Sequence, residues 1–413
     1  MYIDFMRLKN FRIFRGSEIE FIHPDRHFSP DKIPKPMLPN MNLLLGNNGL
    51  GKTTLLKAIA LAALGPAVGD SGIYPYHLIR QEPMTTAENQ PKEAVIEARF
   101  IPHEQDQTSG VSCVESRVAV SRRGDLESLR WTHEDEKLWH PIFSSDSDAF
   151  FFVGYGATRR VEKRTQVDIG SRKSSAFVRA QRVQSLFEEA YSLIPMNVWL
   201  PEFESKNPGR FKQVVNLINK LMGKEHYDFT GEMEDGEYLF DRKGLKIPFP
   251  ALSDGYRAFL GWLGDLFYHI CMTCPSGKKL VDNKGIVMVD EIDLHLHPKW
   301  QMTILHTLGN ALPNIQFIVT SHSPLLVGSL EWMNIIVMVP GQRQSGQAKR
   351  FRESVHGLDA DQVLLTDLFG LKSTRAHGKE RALKELTLKA RNGDTEAAKQ
   401  LLEQMSRGME DEK

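Results

Sequence analysis

An α/β fold built on a mixed, largely parallel sheet is what three stretches of this 413-residue sequence predict. The first, Met41 to Leu61, reads MNLLLGNNGLGKTTLLKAIAL: an apolar run, a glycine-rich loop and a helix-forming run. The second, Gly285-Ile286-Val287-Met288-Val289-Asp290-Glu291, is a strand of buried type ending in two carboxylates. The third, Ile315 to Thr320, is another such strand, followed by Ser321-His322-Ser323-Pro324. Apolar runs without alternation suit parallel strands covered on both faces. In open sheets of that kind, ligands bind at the C-terminal ends of the strands.

The loop Gly46-Asn47-Asn48-Gly49-Leu50-Gly51-Lys52-Thr53 fits G-x-x-x-x-G-K-[ST] in the strand–loop–helix context that a phosphate loop needs. Its glycines let successive N–H groups turn towards one anion, and the helix start adds unpaired donors and a favourable dipole. Asn47, Asn48, Gly49, Gly51, Lys52, Thr53 and Thr54 are the expected nucleotide contacts, with Lys52 on the β- and γ-phosphates. The Thr53 hydroxyl and Asp290 are the expected Mg²⁺ ligands. Glu291 is placed to orient or deprotonate the attacking water, and His322 to reach the γ-phosphate. The bland alternative, a glycine-rich turn that binds nothing, conflicts with the agreement of the loop letters and both flanks.

The remaining elements follow in order. Tyr2 to Leu8 alternates as a strand, with a second around Ser17 to Phe21, and the proline-rich run from His23 to Asn40 reads as a surface loop. Ala94 to Ile101, Ser116 to Arg122 and Leu129 to Trp131 read as strands of an antiparallel lobe. Phe150 to Val153 is a short apolar strand. From Arg159 to Arg182 the chain is basic: Arg159, Arg160, Lys163, Arg164, Arg172, Lys173, Arg179 and Arg182 stand against Glu162 and Asp168. Such clustering fits either a phosphate-backbone footprint for DNA or a solvated face, and the absence of interleaved aromatics favours the second. Helical periodicity resumes at Val183 to Ile194 and Phe211 to Met222, and Tyr227 to Arg242 reads as a hairpin. Leu252-Ser253-Asp254-Gly255-Tyr256-Arg257 then opens an apolar helix, Ala258 to Ile270. There Ser253 offers either an ordinary N-cap or, with Gly255, a contact for an anion. Gly357 to Leu371 has helical periodicity, and Lys379 to Ala390 and Thr395 to Met405 form a charged helix pair, either an exposed hairpin or a docking surface.

Composition bounds the rest. Apolar residues make up 41% of the chain, enough for a sizeable core, and the net charge is zero, which argues for no global affinity for nucleic acid or membrane. No stretch has the apolar length of a membrane span, and three cysteines fit a reducing compartment, so a cytoplasmic location is expected. Cys271-Met272-Thr273-Cys274 has the spacing of half a zinc site but lacks a second pair. His295 and His297 suit a nucleotide-site or dimer-contact role better than a metal.

Together these motifs resemble the ABC-type ATPases, in particular the branch containing SMC, RecF and OLD-like proteins. The resemblance covers roughly residues 1–340: an antiparallel lobe to about 155, a helical and basic insertion over about 160–225, and a signature and Walker B lobe over about 226–340. Residues 341–413 are left as a helical appendage. It implies that Leu252-Ser253-Asp254-Gly255-Tyr256 acts as the signature segment, Ser253 and Gly255 contacting the γ-phosphate held by a second copy. Two Mg-ATP would then be clamped in a homodimer or higher homo-oligomer. Asp290-Glu291 matches the Walker B pair and His322 the switch histidine; His297 stands where the family usually has a D-loop aspartate, which puts that contact in doubt. The Q-loop residue is unassigned between Gln81 and the region of Tyr155-Gly156. Long heptad stretches are absent between Arg160 and Ala251, unlike SMC heads. The wording LSDGYR, DEIDLHLHPKWQ and NIQFIVTSHSPL is similar to bacterial AAA-family ATPases of anti-phage defence, such as those of Septu, PARIS and certain retron systems. The resemblance thus implies a slow regulatory ATPase, the sensor or scaffold for a separate effector, a nuclease or toxin. The alternatives are a DNA-repair clamp binding through Arg159–Arg182, a non-hydrolysing interaction module and a transporter subunit.

Overall fold

Two sheets enclose one helix, and that helix carries the phosphate loop. The computed structural model describes residues 1–31, 33–83, 85–86, 89–106, 110–124, 126–132, 136–143, 150–161, 178–223, 227–371, 373 and 385–406. They fall into two units, Met1–Leu358 and Asp359–Lys413.

In the first unit an antiparallel sheet is made by β1 (Tyr2–Phe11), β2 (Phe14–Glu20), β4 (Glu93–Ile101), β5 (Val114–Arg123) and β6 (Leu126–Trp131), in the order β2-β1-β4-β5-β6. The second sheet contains β3 (Met41–Leu45), β7 (Phe151–Tyr155), β13 (Gly285–Val289), β14 (Ile315–Ser321), β15 (Ile335–Pro340) and β16 (Gly346–Lys349). Its order is β16-β15-β3-β14-β13-β7, parallel throughout except for β16. Residues of β3, β7, β13 and β14 are buried along their whole length, as the unbroken apolar runs require. Helix α1 (Lys52–Leu64) packs against both sheets, so every residue from Ala58 to Leu64 is buried. A helix apolar on all sides has no solvent face to show as periodicity. The Ser116 hydroxyl on β5 donates to the Ala62 carbonyl (2.8 Å), tying the end of α1 to the antiparallel sheet. Beside it, Trp139 from α2 (Glu136–Phe143) is fully buried, edge-on to Phe100 and Phe150.

Buried amides fasten the sheets to each other. Gln316 on β14 accepts from the Ile3 N–H (2.9 Å) and donates to the carbonyls of Ile3 (2.8 Å) and Ile22 (2.9 Å). Asn42 on β3 likewise accepts from the Ile22 N–H and donates to the Ile22 carbonyl, 2.9 and 2.8 Å. Each satisfies backbone groups that would otherwise be buried unpaired.

A helical lobe follows β7. It contains β8 (Arg160–Val161), α3 (Val178–Gln184), β9 (Ser192–Leu193), α4 (Met196–Lys206), α5 (Pro208–Met222), the three-stranded β10 (Asp228–Glu234), β11 (Glu237–Arg242) and β12 (Leu245–Pro248), and α6 (Asp254–Thr273). The expected helix over 183–194 is not formed: α3 ends at Gln184, and Leu186, Leu193 and Ile194 are buried one by one from turns and from β9. The hairpin expected over 227–242 gains β12 as a third strand. Beyond β13 lie α7 (Pro298–Ala311) and α8 (Pro324–Gly328). A further strand, β16, follows Pro340 where only helix was expected.

In the second unit, helical geometry covers only Ala360–Leu365 of the stretch expected to be helical over 357–371; a capping box between Asp359 and Gln362 starts it. Residues 385–391 and Thr395–Ser406 are helical, and the first part of the expected pair, 379–384, lies outside the described residues.

Gln316→Leu removes one acceptor and two donated bonds at similar volume, taking this partner from the buried N–H and carbonyl of Ile3, while the Ile22 carbonyl keeps its bond from Asn42. We expect a loss of roughly 2–3 kcal/mol, read from the midpoint of urea denaturation.

Candidate nucleotide-binding site

Strand order decides what meets at the site. Because β3, β14, β13 and β7 are neighbours and parallel, with Phe317 paired to Met41 and to Val287, and Val287 to Val153, their C-terminal ends lie side by side. Adjacent strands are about 4.8 Å apart, so the phosphate loop, Ser321-His322, Asp290-Glu291 and the turn after Tyr155 share one edge.

The loop rises from β3, with Asn47, Asn48 and Gly49 exposed at its crest. Gly51 precedes α1 at φ 100°, and a Cβ there would meet Ile13 and Phe14 at 2.7 and 2.8 Å, so no other residue fits. No side chain caps α1, and its first turn holds no acid. These uncapped donors are what an anion requires, and they suit a phosphate. Lys52 folds over its own loop: its ammonium donates to the Gly46 carbonyl (2.7 Å) and lies 2.7 Å from His322 Nε2. Burial lowers the Lys52 pKa, while Asp290, Glu291 and Asp293 pull the other way. Burial and the Lys52 charge hold His322 below its usual value, so its neutral ring suits acceptance from the ammonium.

Thr53, in the first turn of α1 beside the half-buried Thr54, donates its hydroxyl to Asp290 Oδ2 (2.7 Å). Asp290 Oδ1 accepts from Thr320 Oγ1 (2.6 Å), and the same Thr320 oxygen accepts from the Glu291 N–H (2.7 Å). Paired hydroxyl and carboxylate oxygens are the donor set a Mg²⁺ ion takes. Glu291 is left-handed, φ 47°, and among the described residues its carboxylate takes no hydrogen bond.

Ser253 sits at the N-cap of α6, yet its side chain makes no capping bond and is exposed. Gly255 lies against the D-loop: a Cβ there would come within 2.7 Å of the His295 carbonyl. The structure thus brings the start of α6 against the turn at His295 but gives Ser253 no bond to the Lys52–His322 pair or to Thr53 and Asp290. His297 caps α7 through Nδ1, accepting from the Lys299 N–H (3.3 Å). Cys271 and Cys274 are buried at the end of α6, and among the described residues no three His, Cys, Asp or Glu side chains converge.

Two residues escaped the sequence reading. Thr320 was visible only as the last polar residue of an apolar strand. Arg159, assigned to the basic segment, instead turns inward and donates to the carbonyls of Asp290 (2.5 Å) and Glu291 (3.0 Å). Arg179 covers the Phe143 ring at 4.7 Å, and residues 162–177 of the segment lie outside the described residues. A solvent-facing footprint therefore loses its first member.

A glycine-rich loop on a central parallel strand, its helix roofed by an antiparallel lobe, is the fold of ABC-type ATPase heads. The chain belongs to the AAA_21 family, described as "AAA domain, putative AbiEii toxin, Type IV TA system", whose model matches residues 41–328. It is 24% identical over 373 residues to Septu protein PtuA of Bacillus mycoides (strain KBAB4), covering 90% of this chain and 45% of that one. It is 43% identical over 86 residues to the retron Vc95 probable ATPase of Vibrio cholerae serotype O1 biovar El Tor, covering 21% and 17%. The matches span less than half the length of these relatives. The SmcHead solved bound to the C-winged helix domain of ScpA aligns at TM-score 0.50 and 17% identity, over 85% of this chain and 98% of that one, a likeness of fold. The motif-based resemblance is thereby upheld, as is the ABC-type fold. No described helix is long and apolar enough to cross a membrane.

Thr320→Val keeps the shape and removes both bonds, leaving the Glu291 N–H without its acceptor. A loss of about 1–3 kcal/mol is expected, measured by chemical denaturation.

Proposed function

We propose that this chain binds Mg-ATP, closes head to tail with a second copy around two nucleotides, and hydrolyses them slowly as the control element of an anti-phage defence system. One observation carries the nucleotide part: two hydrogen-bonded groups, Lys52 with His322 and Thr53 with Asp290 and Thr320, meet at adjacent residues of the α1 N-terminus beside the ends of neighbouring parallel strands. Lys52 and the α1 N-terminus would hold the phosphates, releasing the lysine's present bonds to its own loop. Thr53 and Asp290 would hold Mg²⁺, which when bound neutralises phosphate charge. Glu291, its carboxylate not engaged, would orient and deprotonate the attacking water, and His322 would donate to the γ-phosphate once protonated or carry a hydrogen bond from Lys52 when neutral.

The dimer reading rests on Ser253. An exposed hydroxyl at a helix start, without a capping bond, suits an anion presented by another copy. The defence reading rests on the similarity to Septu protein PtuA and to retron ATPases, and with it comes a separate effector released or activated by the ATP cycle.

Glu291→Gln should retain Mg-ATP while turnover falls about a hundredfold or more. Its mass in solution, with and without Mg-ATP, is the decisive observation: nucleotide-driven association supports the clamp, and an unchanged mass removes it. Ser253→Arg should bind ATP as a monomer with near-wild-type affinity but fail to associate. If that variant still dimerises on ATP, the signature assignment is wrong.

A further inference from the structure

The turn after β7 reaches the Walker B segment in a way the nucleotide reading does not use. Arg159 extends its guanidinium across the end of β13, and its two terminal nitrogens donate to successive backbone carbonyls, Asp290 and Glu291. A planar fork offers two donors fixed in one plane to adjacent carbonyls, whereas a lysine ammonium on its flexible stem is not pre-organised for that pair. Both residues of the contact are held in the left-handed region, Arg159 at φ 37° and Glu291 at φ 47°. For residues with a Cβ that geometry is strained and persists only where the surroundings over-determine it.

Those surroundings can be named. The Glu291 peptide is pinned on its N–H by Thr320 Oγ1 and on its carbonyl by Arg159 and the Leu294 N–H, 3.0 Å each, leaving its carboxylate as the part not engaged. Arg159 is set by the strand before it. The Tyr155 carbonyl accepts from the Asp290 N–H (2.8 Å), and the Tyr155 hydroxyl donates to Asp265 on α6 (2.9 Å). Asp265 also accepts from the Ile194 N–H (2.8 Å). The signature helix and the catalytic-strand end are thus braced through one five-residue turn.

We propose that Arg159 is a positioning residue for hydrolysis: by clamping the backbone of Asp290 and Glu291 it fixes the strained geometry that aims the Glu291 carboxylate. This rests on the hydrolysis reading above. Burial lowers its pKa to about 10, against the pull of Asp290, Asp293 and Glu291, so the clamp is cationic at neutral pH. Arg159 also lines a cavity of about 800 Å³ with Asn197, Asp254, Arg257 and Gly261, which gives a small cation a route to the place of a deleted side chain.

The test compares Arg159→Ala and Arg159→Lys with wild type in single-turnover and steady-state assays. Both variants should lose about tenfold or more in kcat while the Kd for Mg-ATP changes by less than about twofold. Methylguanidinium should restore the alanine variant, and methylammonium, of equal charge, should not. In the Glu291→Gln background Arg159→Lys should cost nothing further, because a residue acting through Glu291 has nothing left to aim. Unchanged kcat, a loss that persists in the Glu291→Gln background, or no response to methylguanidinium overturns the assignment. If wild type binds Mg-ATP without turning it over, the hydrolysis reading fails by that result alone. Arg159 is then judged by amide hydrogen exchange at Glu291 and Ile292: faster exchange in Arg159→Lys supports the clamp, and unchanged exchange refutes it.

Discussion

Asp290 is the point at which four elements agree. Its carboxylate takes one hydroxyl from α1 and one from β14, its N–H reaches the last carbonyl of β7, and its own carbonyl receives Arg159 from the turn beyond. None of these contacts survives a slip of one strand past another, because a shift of a single residue would turn every side chain to the opposite face. The register of β14 against β3 and β13 is therefore the condition on which the site depends. That register is set far from it, by Gln316 and Asn42 reaching into the backbone of residues 3 and 22. Polar keys buried in an otherwise apolar sheet contribute a single alignment where hydrophobic contacts alone would accept several.

Burial also sorts the charges. Lys52 and Arg159 both lose stability as cations by leaving water, and both are compensated by Asp290, Glu291 and Asp293. An incoming polyphosphate would compete with the carbonyls now holding Lys52, so binding exchanges one set of charge-assisted bonds for another. The Arg159 clamp has carbonyl partners of its own and need not move in that exchange.

What the sequence disclosed and what it withheld divide along a physical line. Gly46 to Thr53, Asp290-Glu291 and Ser321-His322 are local patterns whose chemistry is written in consecutive residues, and so was the mixed α/β architecture that carries them. Helix α4 went unread because Pro195 and Pro201 break the usual signal, while burial of Trp199, Leu200 and Phe203 holds it in place. Strand β16, Gly-Gln-Ala-Lys, has no apolar alternation and forms because β15 offers a free row of backbone groups. Apolar spacing over 183–194 imitated a helix, although its residues enter the core from turns. Arg159 was read with its basic neighbours, since carbonyl acceptors 131 and 132 positions away leave no trace in local composition.

From Ala58 to Leu64 helix α1 is apolar on every side, because it packs between the two sheets. During synthesis, that arrangement imposes a timetable. The strands flanking β3 come from residues 315–321 and 335–340, and the amide that fixes residue 3 comes from position 316. A nascent chain that has emerged only through its first half thus holds the antiparallel strands that cover one face of the helix but lacks the strands over 285–289, 315–321 and 335–340 that close its other face and flank the loop. Closing so long a loop is slow and leaves apolar surface uncovered meanwhile. The phosphate loop, although it lies near the start of the chain, can take its working form only after most of the chain has left the ribosome.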